Sequence, residues 1–171
     1  MAKPLPDIAR PGLSVIFCGL NPGLSAAAAG HHFVGRSNRF WRVLHLAGFT
    51  PEQIDPEQDT RLLDYGLGVT SVVERPTAGV DDLARSEFVE AAAGFQFWIR
   101  RYVPHCVAFL GKAAYAGMMG RRTVAWGRQA EPFAGAVAWV LPNPSGRNLA
   151  FSQDALVEAF RELRLAAEAG F

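Results

Sequence analysis

Two short segments hold the residues best suited to chemistry: Gly19-Leu20-Asn21-Pro22-Gly23 and Leu141-Pro142-Asn143-Pro144-Ser145-Gly146. Both set an asparagine amide beside a proline and close to a glycine. Glycine lets the backbone bend sharply and approach a ligand closely. Proline fixes its own φ and restricts the residue before it. An asparagine in such a frame is held rigidly, and its uncharged amide both donates and accepts hydrogen bonds. Asn21 therefore reads either as an amide pointing into a cleft or as the turn residue that Asn-Pro commonly makes. The first segment contains no carboxylate. Asp64, Asp81, Asp82, Glu87 and Glu90 are the acidic candidates for a general base by sequence.

Both segments follow apolar runs that can position them. Leu13–Cys18 reads as a buried strand and Gly135–Leu141 as the last strand, with Leu67–Val73 and His105–Leu110 between them. Helices are predicted over Ser37–Ala47 (capped by Ser37), Asp59–Tyr65, Ser86–Tyr102 (capped by Ser86), Lys112–Met119 and a C-terminal stretch capped by Ser152. Gly19–Gly30 reads as a loop. Continuous apolar strands alternating with helices indicate an α/β fold, a three-layer sandwich with a central, mostly parallel sheet and helices on both faces. In such sheets ligands bind beyond the carboxyl ends of the strands, where both segments lie.

Composition narrows the classes. The 171 residues, half of them hydrophobic and 19% charged, suit one domain spanning the chain, with a core over about 11–168. No apolar run approaches the roughly 20 residues that span a bilayer. Met1–Gly12 carries no apolar signal-peptide core, and the expected location is cytoplasmic. Cys18 and Cys106 sit in apolar runs and read as buried structural thiols. Two cysteines cannot supply a four-cysteine cluster, and the four histidines lack metal-ligand spacing, so neither metal nor cofactor is expected. The net charge of +1 is silent on nucleic acid. Arg36, Arg39 and Arg42, at three-residue spacing, read singly as a solvated face.

Further segments join the two loops in a fixed order: Asn38-Arg39-Phe40-Trp41, Leu63-Asp64-Tyr65, Gly68-Val69-Thr70, Arg75-Pro76-Thr77, Leu110-Gly111-Lys112 and Trp126-Gly127. From about Pro11 to Leu163 this set resembles the mismatch-specific uracil-DNA glycosylases, the family of bacterial Mug and eukaryotic thymine-DNA glycosylase. The resemblance implies a monofunctional, monomeric glycosylase of base excision repair. It would hydrolyse the N-glycosidic bond of uracil, with thymine and ethenocytosine as further candidates, flipped from mismatched duplex DNA, chiefly at G·U.

The resemblance also implies residue roles. Asn21 matches the asparagine that positions the attacking water. Leu20 borders the base pocket, Phe33 stacks on the flipped base, and Asn143 lies near the flipped nucleotide. Gly146, Arg147 and Leu149 fall in the loop that enters the DNA stack and contacts the orphan guanine. The position after Gly146, usually apolar in the family, is Arg147 here. Ala26–Ala29 lacks hydroxyls that relatives offer, and Ser71 stands where some have lysine. Lys112 is a candidate phosphate contact or a solvated lysine. Ser145 is a candidate phosphate contact or a cap, and Phe33 could instead be core. Two other classes stay open: a catalytically silent mismatch-binding module, and an α/β protein holding a nucleotide phosphate on the Gly19–Ser25 loop.

Overall fold

The computed structural model describes residues 5–171; the first four residues of the Met1–Gly12 segment lie outside them. Five strands form one sheet: β1 (Val15–Gly19), β2 (Leu67–Ser71), β3 (Cys106–Leu110), β4 (Gly127–Arg128) and β5 (Val137–Leu141), in the order β2-β1-β3-β5-β4. Four of them run parallel, with Val15 level with Leu67 and Cys106, and Cys106 level with Val137. Only β4, a two-residue edge strand, is antiparallel. The α/β three-layer expectation therefore holds.

Alternation along each strand sends successive side chains to opposite faces. Val15, Phe17, Ala108, Trp139 and Leu141 face one core, closed by α2 (Phe40–Leu46) and α5 (Gln153–Glu168). Cys18, Val107, Phe109, Ala138 and Val140 face the other, closed by α3 (Arg85–Tyr102) and α4 (Lys112–Met119). Because both faces are covered, the strands are apolar without interruption. Cys18 and Cys106 are free and buried, and burial pushes the Cys106 thiol up to about 12.

Several local expectations need correction. The Gly19–Gly30 stretch is not all loop: Leu24–Ala29 forms a short helix, α1, that ends at Gly30 with φ 76°. Ser37 does not cap α2, which starts at Phe40; the Asn38 Oδ1 accepts the Phe40 N–H at 3.0 Å. Ser86 lies inside α3, and Glu87 accepts the Ala84 N–H at 2.8 Å instead. Asp59–Tyr65 belongs to a longer 3-10 segment, Pro56–Tyr65. Ser152 does cap α5, its hydroxyl accepting the Ala155 N–H at 3.1 Å.

The strand order fixes where a cleft must open. From β1 the chain passes to β2 on one side, then returns to place β3 on the other. The loops leaving β1 and β3 diverge at this reversal, and a crevice forms at their carboxyl ends. The loop after β5 borders the same crevice.

Candidate active site

A cleft of about 700 Å³ opens at these strand ends. Five short stretches line it: residues 19–23 after β1, 32–35, 77–79, 110–113 after β3, and Asn143 with residues 145–148 after β5, together with Ser71 at the end of β2. Leu20, Asn21, Phe33, Lys112, Asn143, Ser145, Gly146 and Arg147 all meet there. Leu149 does not line the cleft; it stands beyond it, 92% exposed.

Asn21 is held by its amide nitrogen. Nδ2 donates to the Arg75 carbonyl at 2.7 Å and to the Thr77 Oγ1 at 2.8 Å. A carbonyl only accepts, so the nitrogen must face Arg75, and Oδ1 has no protein partner among the described residues. Residues 75–79 form a strap alongside the first loop. The Thr77 N–H donates to the Pro22 carbonyl at 3.1 Å, and Gly23 bridges Thr77. The Arg75 guanidinium grips Glu87 through two contacts of 3.0 Å. That pairing, with the Ala84 N–H, holds the Glu87 carboxyl below its usual range.

Phe33 sits in the left-handed region at φ 56°, a costly conformation for a bulky residue. The neighbouring His32 is over-determined. Its N–H donates to Asp59 at 3.1 Å, its Nε2 meets the Pro6 carbonyl at 2.8 Å, and its carbonyl accepts from Trp41 Nε1 at 3.1 Å. The Phe33 ring lies 4.1 Å from Phe40, centroid to centroid. The ring is thus backed by the core while the residue also lines the cleft.

The second loop is built differently. Asn143 Oδ1 accepts the Ser145 N–H at 2.9 Å, and the residue lines the cleft. The Ser145 Oγ accepts the Arg147 N–H at 3.3 Å, the capping alternative for that residue. Gly146 is packed against Ser37, where a Cβ would stand 2.4 Å from the Ser37 Cβ. Arg39 organises the loop. Its guanidinium donates to the carbonyls of Pro144, Ser145, Asn148 and Phe151 at 2.8–3.3 Å. This corrects the solvated-face reading for Arg39; Arg36 and Arg42 are exposed. The residues before Phe40 are not helical, so the three-residue spacing carried no common face.

Arg147 crosses towards the strap: a Cβ on Gly79 would lie 2.5 Å from its Nη1. Lys112 Nζ sits 4.3 Å over the Trp126 ring, which in turn meets Phe151 edge-on at 5.2 Å. Of the acidic candidates, Asp81 alone lines the cleft. Asp82 is engaged with the Gly79 N–H at 3.1 Å, and Glu87 with Arg75. Asp7, not singled out from the sequence, accepts the Thr70 hydroxyl at 2.8 Å, and burial raises its carboxyl. Thr77 and Arg39 were visible only as members of ordered segments, because their partners lie 56 and more than 100 residues away. Among the described residues no group of three or more His, Cys, Asp or Glu could hold a metal.

A sheet reversal with an uncharged, pinned amide at the carboxyl end of β1 defines a ligand-binding cleft of a mostly parallel α/β protein. Residues 6–164 match the model of the Uracil DNA glycosylase superfamily, and the chain belongs to that superfamily. A solution NMR structure from Methanosarcina acetivorans, described as a "putative Uracil DNA glycosylase", shares the fold. Its TM-score is 0.53 at 18% identity, over 95% of this chain and 98% of that one.

Proposed function

We propose that the chain is a mismatch-specific uracil-DNA glycosylase of the Mug and thymine-DNA glycosylase branch, acting on uracil flipped from duplex DNA, chiefly opposite guanine. The observation that carries this reading is the Asn21 amide, whose nitrogen is tied to Arg75 and Thr77 and whose Oδ1 is unpaired beside the cleft.

The chemistry follows from what an amide can and cannot do. A base inside a duplex is out of reach of water, so the nucleotide must leave the stack, at a cost of a few kcal/mol that is smallest at a mismatch. As the N-glycosidic bond breaks, its electron pair departs with the pyrimidine and the sugar gains oxocarbenium character. Asn21 Oδ1 accepts a hydrogen bond from the water that adds to C1′ and so fixes its line of approach. It is too weak a base to remove the water's proton early. General-base help is worth about 10²–10⁴-fold, so turnover should be slow beside that of relatives with an aspartate here. Leu20 and Asn143 border the base, and Phe33 supplies a stacking face. Leu149 and Arg147 enter the gap and contact the orphan guanine, an insertion that offsets the unstacking. Lys112 is the candidate phosphate contact, and the Ser145 hydroxyl, whose oxygen caps the Arg147 N–H, still has a proton to donate to a second phosphate oxygen.

Duplexes containing G·U, A·U and G·T, and a single strand with uracil, test the reading. Release of free uracil, greatest from G·U, is expected. Tight mismatch binding without release would replace the enzyme by a silent binding module. Binding of free nucleotide with no affinity for DNA would favour a phosphate-binding protein.

A further inference from the structure

The strap beside the first loop does more than cover it. A chain of hydrogen bonds has a direction, and the groups at its ends fix that direction. The Gly79 carbonyl can only accept, and the Thr77 hydroxyl donates its single proton there at 2.8 Å. Towards Asn21, 2.8 Å away, the Thr77 oxygen can then only accept. The Arg75 carbonyl, 2.7 Å from the same nitrogen, is a second obligate acceptor. Both Nδ2 protons of Asn21 are therefore consumed. An amide turned over would set Oδ1 against the Arg75 carbonyl and would break the Thr77–Gly79 bond if the hydroxyl turned to meet it. Loss of the Thr77–Gly79 bond leaves a partly buried polar group unpaired, the costly side of the hydrogen-bond balance, while the exposed Arg75 carbonyl would face the amide oxygen, an acceptor set against an acceptor.

We infer that Thr77 is the positioning residue for Asn21: its hydroxyl, polarised by the Gly79 carbonyl, locks the amide in the one orientation that presents Oδ1 to the cleft. The inference rests on the glycosylase reading for its effect on rate, though not for its effect on the amide. Thr77 touches no reacting atom in this scheme. It is 6% exposed, and its backbone is independently anchored to Pro22 and Gly23. The hydroxyl can thus be removed with little else changed. Valine keeps the shape and the methyl group, and serine keeps the hydroxyl.

Three measurements on Thr77→Val and Thr77→Ser, in the full chain, test it. Single-turnover release of uracil from a G·U duplex should fall ten- to a hundredfold in Thr77→Val, on the scale of a small misplacement of a catalytic group. Affinity for the same duplex should stay within about twofold of the parent, since the lost contact acts on the bond-breaking step alone. Thr77→Ser should keep most of the parent rate. In 1H–15N spectra, assigned with Asn21→Ala, the Asn21 side-chain amide protons should shift in Thr77→Val and stay close to the parent in Thr77→Ser. A Thr77→Val variant with the parent rate, or a Thr77→Ser variant as slow as valine, would overturn the inference. If the parent releases no uracil, the glycosylase reading falls by itself. Unchanged Asn21 amide resonances in Thr77→Val would then overturn the orienting role separately.

Discussion

The two loops of the cleft solve opposite problems. In the loop after β1 a side chain is fixed: both donors of the Asn21 amide are spent on the strap, and the free atom is its oxygen. In the loop after β5 a backbone is fixed: Arg39 collects four carbonyls, while Asn143 lines the cleft and Leu149 stands in solvent. A group that must steer one small molecule along one line gains from having no freedom. Groups that must meet a large, deformable partner need a firm base and reach beyond it. On the proposed reading, chemistry and recognition would be held by separate networks, and substitutions should separate them.

The largest effect is expected at Asn21. Replacing it by alanine removes the oriented acceptor and leaves the Arg75 carbonyl and Thr77 hydroxyl without their donor. By analogy with the loss of one oriented hydrogen-bonding group in other active sites, single-turnover release should fall by about 10²–10³-fold or more. Affinity for a G·U duplex should change little, because the second loop is untouched. Near-parent release from Asn21→Ala would break the comparison at its first term.

Arg39→Ala comes next and should reverse the pattern. Four carbonyls of the second loop lose their donor, and charge-assisted hydrogen bonds are worth about 1.5–3 kcal/mol each before partial replacement by water. Water can reach this half-buried position, so a net loss of about 2–3 kcal/mol in denaturant unfolding is expected, with weakened DNA affinity. Lysine should recover little, since an ammonium lacks the planar fork that reaches several carbonyls at once. An Arg39→Ala protein with parent stability and parent affinity would mean that the loop is held by Asn143, Ser145 and Gly146 without it.

The same division decides what could be read from the sequence. The parallel strands were legible because burial on both faces writes an unbroken apolar run, as in Val15–Cys18 and Cys106–Leu110. Asn21 and Asn143 were legible because proline and glycine mark a constrained backbone in the residues immediately beside them. Helix α1 was not: Leu24–Ala29 has no capping side chain, no charged residue and no polar face, and its glycine flanks look like a loop. Strand β4 is two residues long and carries no pattern at all. Thr77 and Arg39 act on partners that are distant in sequence, and nothing near either residue announces its role. Asp7 was overlooked for a similar reason, because its partner Thr70 lies 63 residues away.

The smallest effect, and the finest test of the division, belongs to Leu149. At 92% exposure it buries almost nothing in the free protein, so Leu149→Ala should leave unfolding within about 0.5 kcal/mol of the parent. If the side chain enters the DNA stack, its isobutyl group becomes buried only in the complex. Loss of part of a Leu side chain's burial, at about 25 cal/mol per Å², then corresponds to roughly tenfold in affinity for a G·U duplex. The loss should be largest where a base has to leave the stack, and smaller on an abasic duplex, where no unstacking needs to be offset. Titration of both duplexes with parent and variant measures that difference directly. Equal losses on the two would make Leu149 a general contact, and no loss on either would leave Arg147 as the residue that fills the gap.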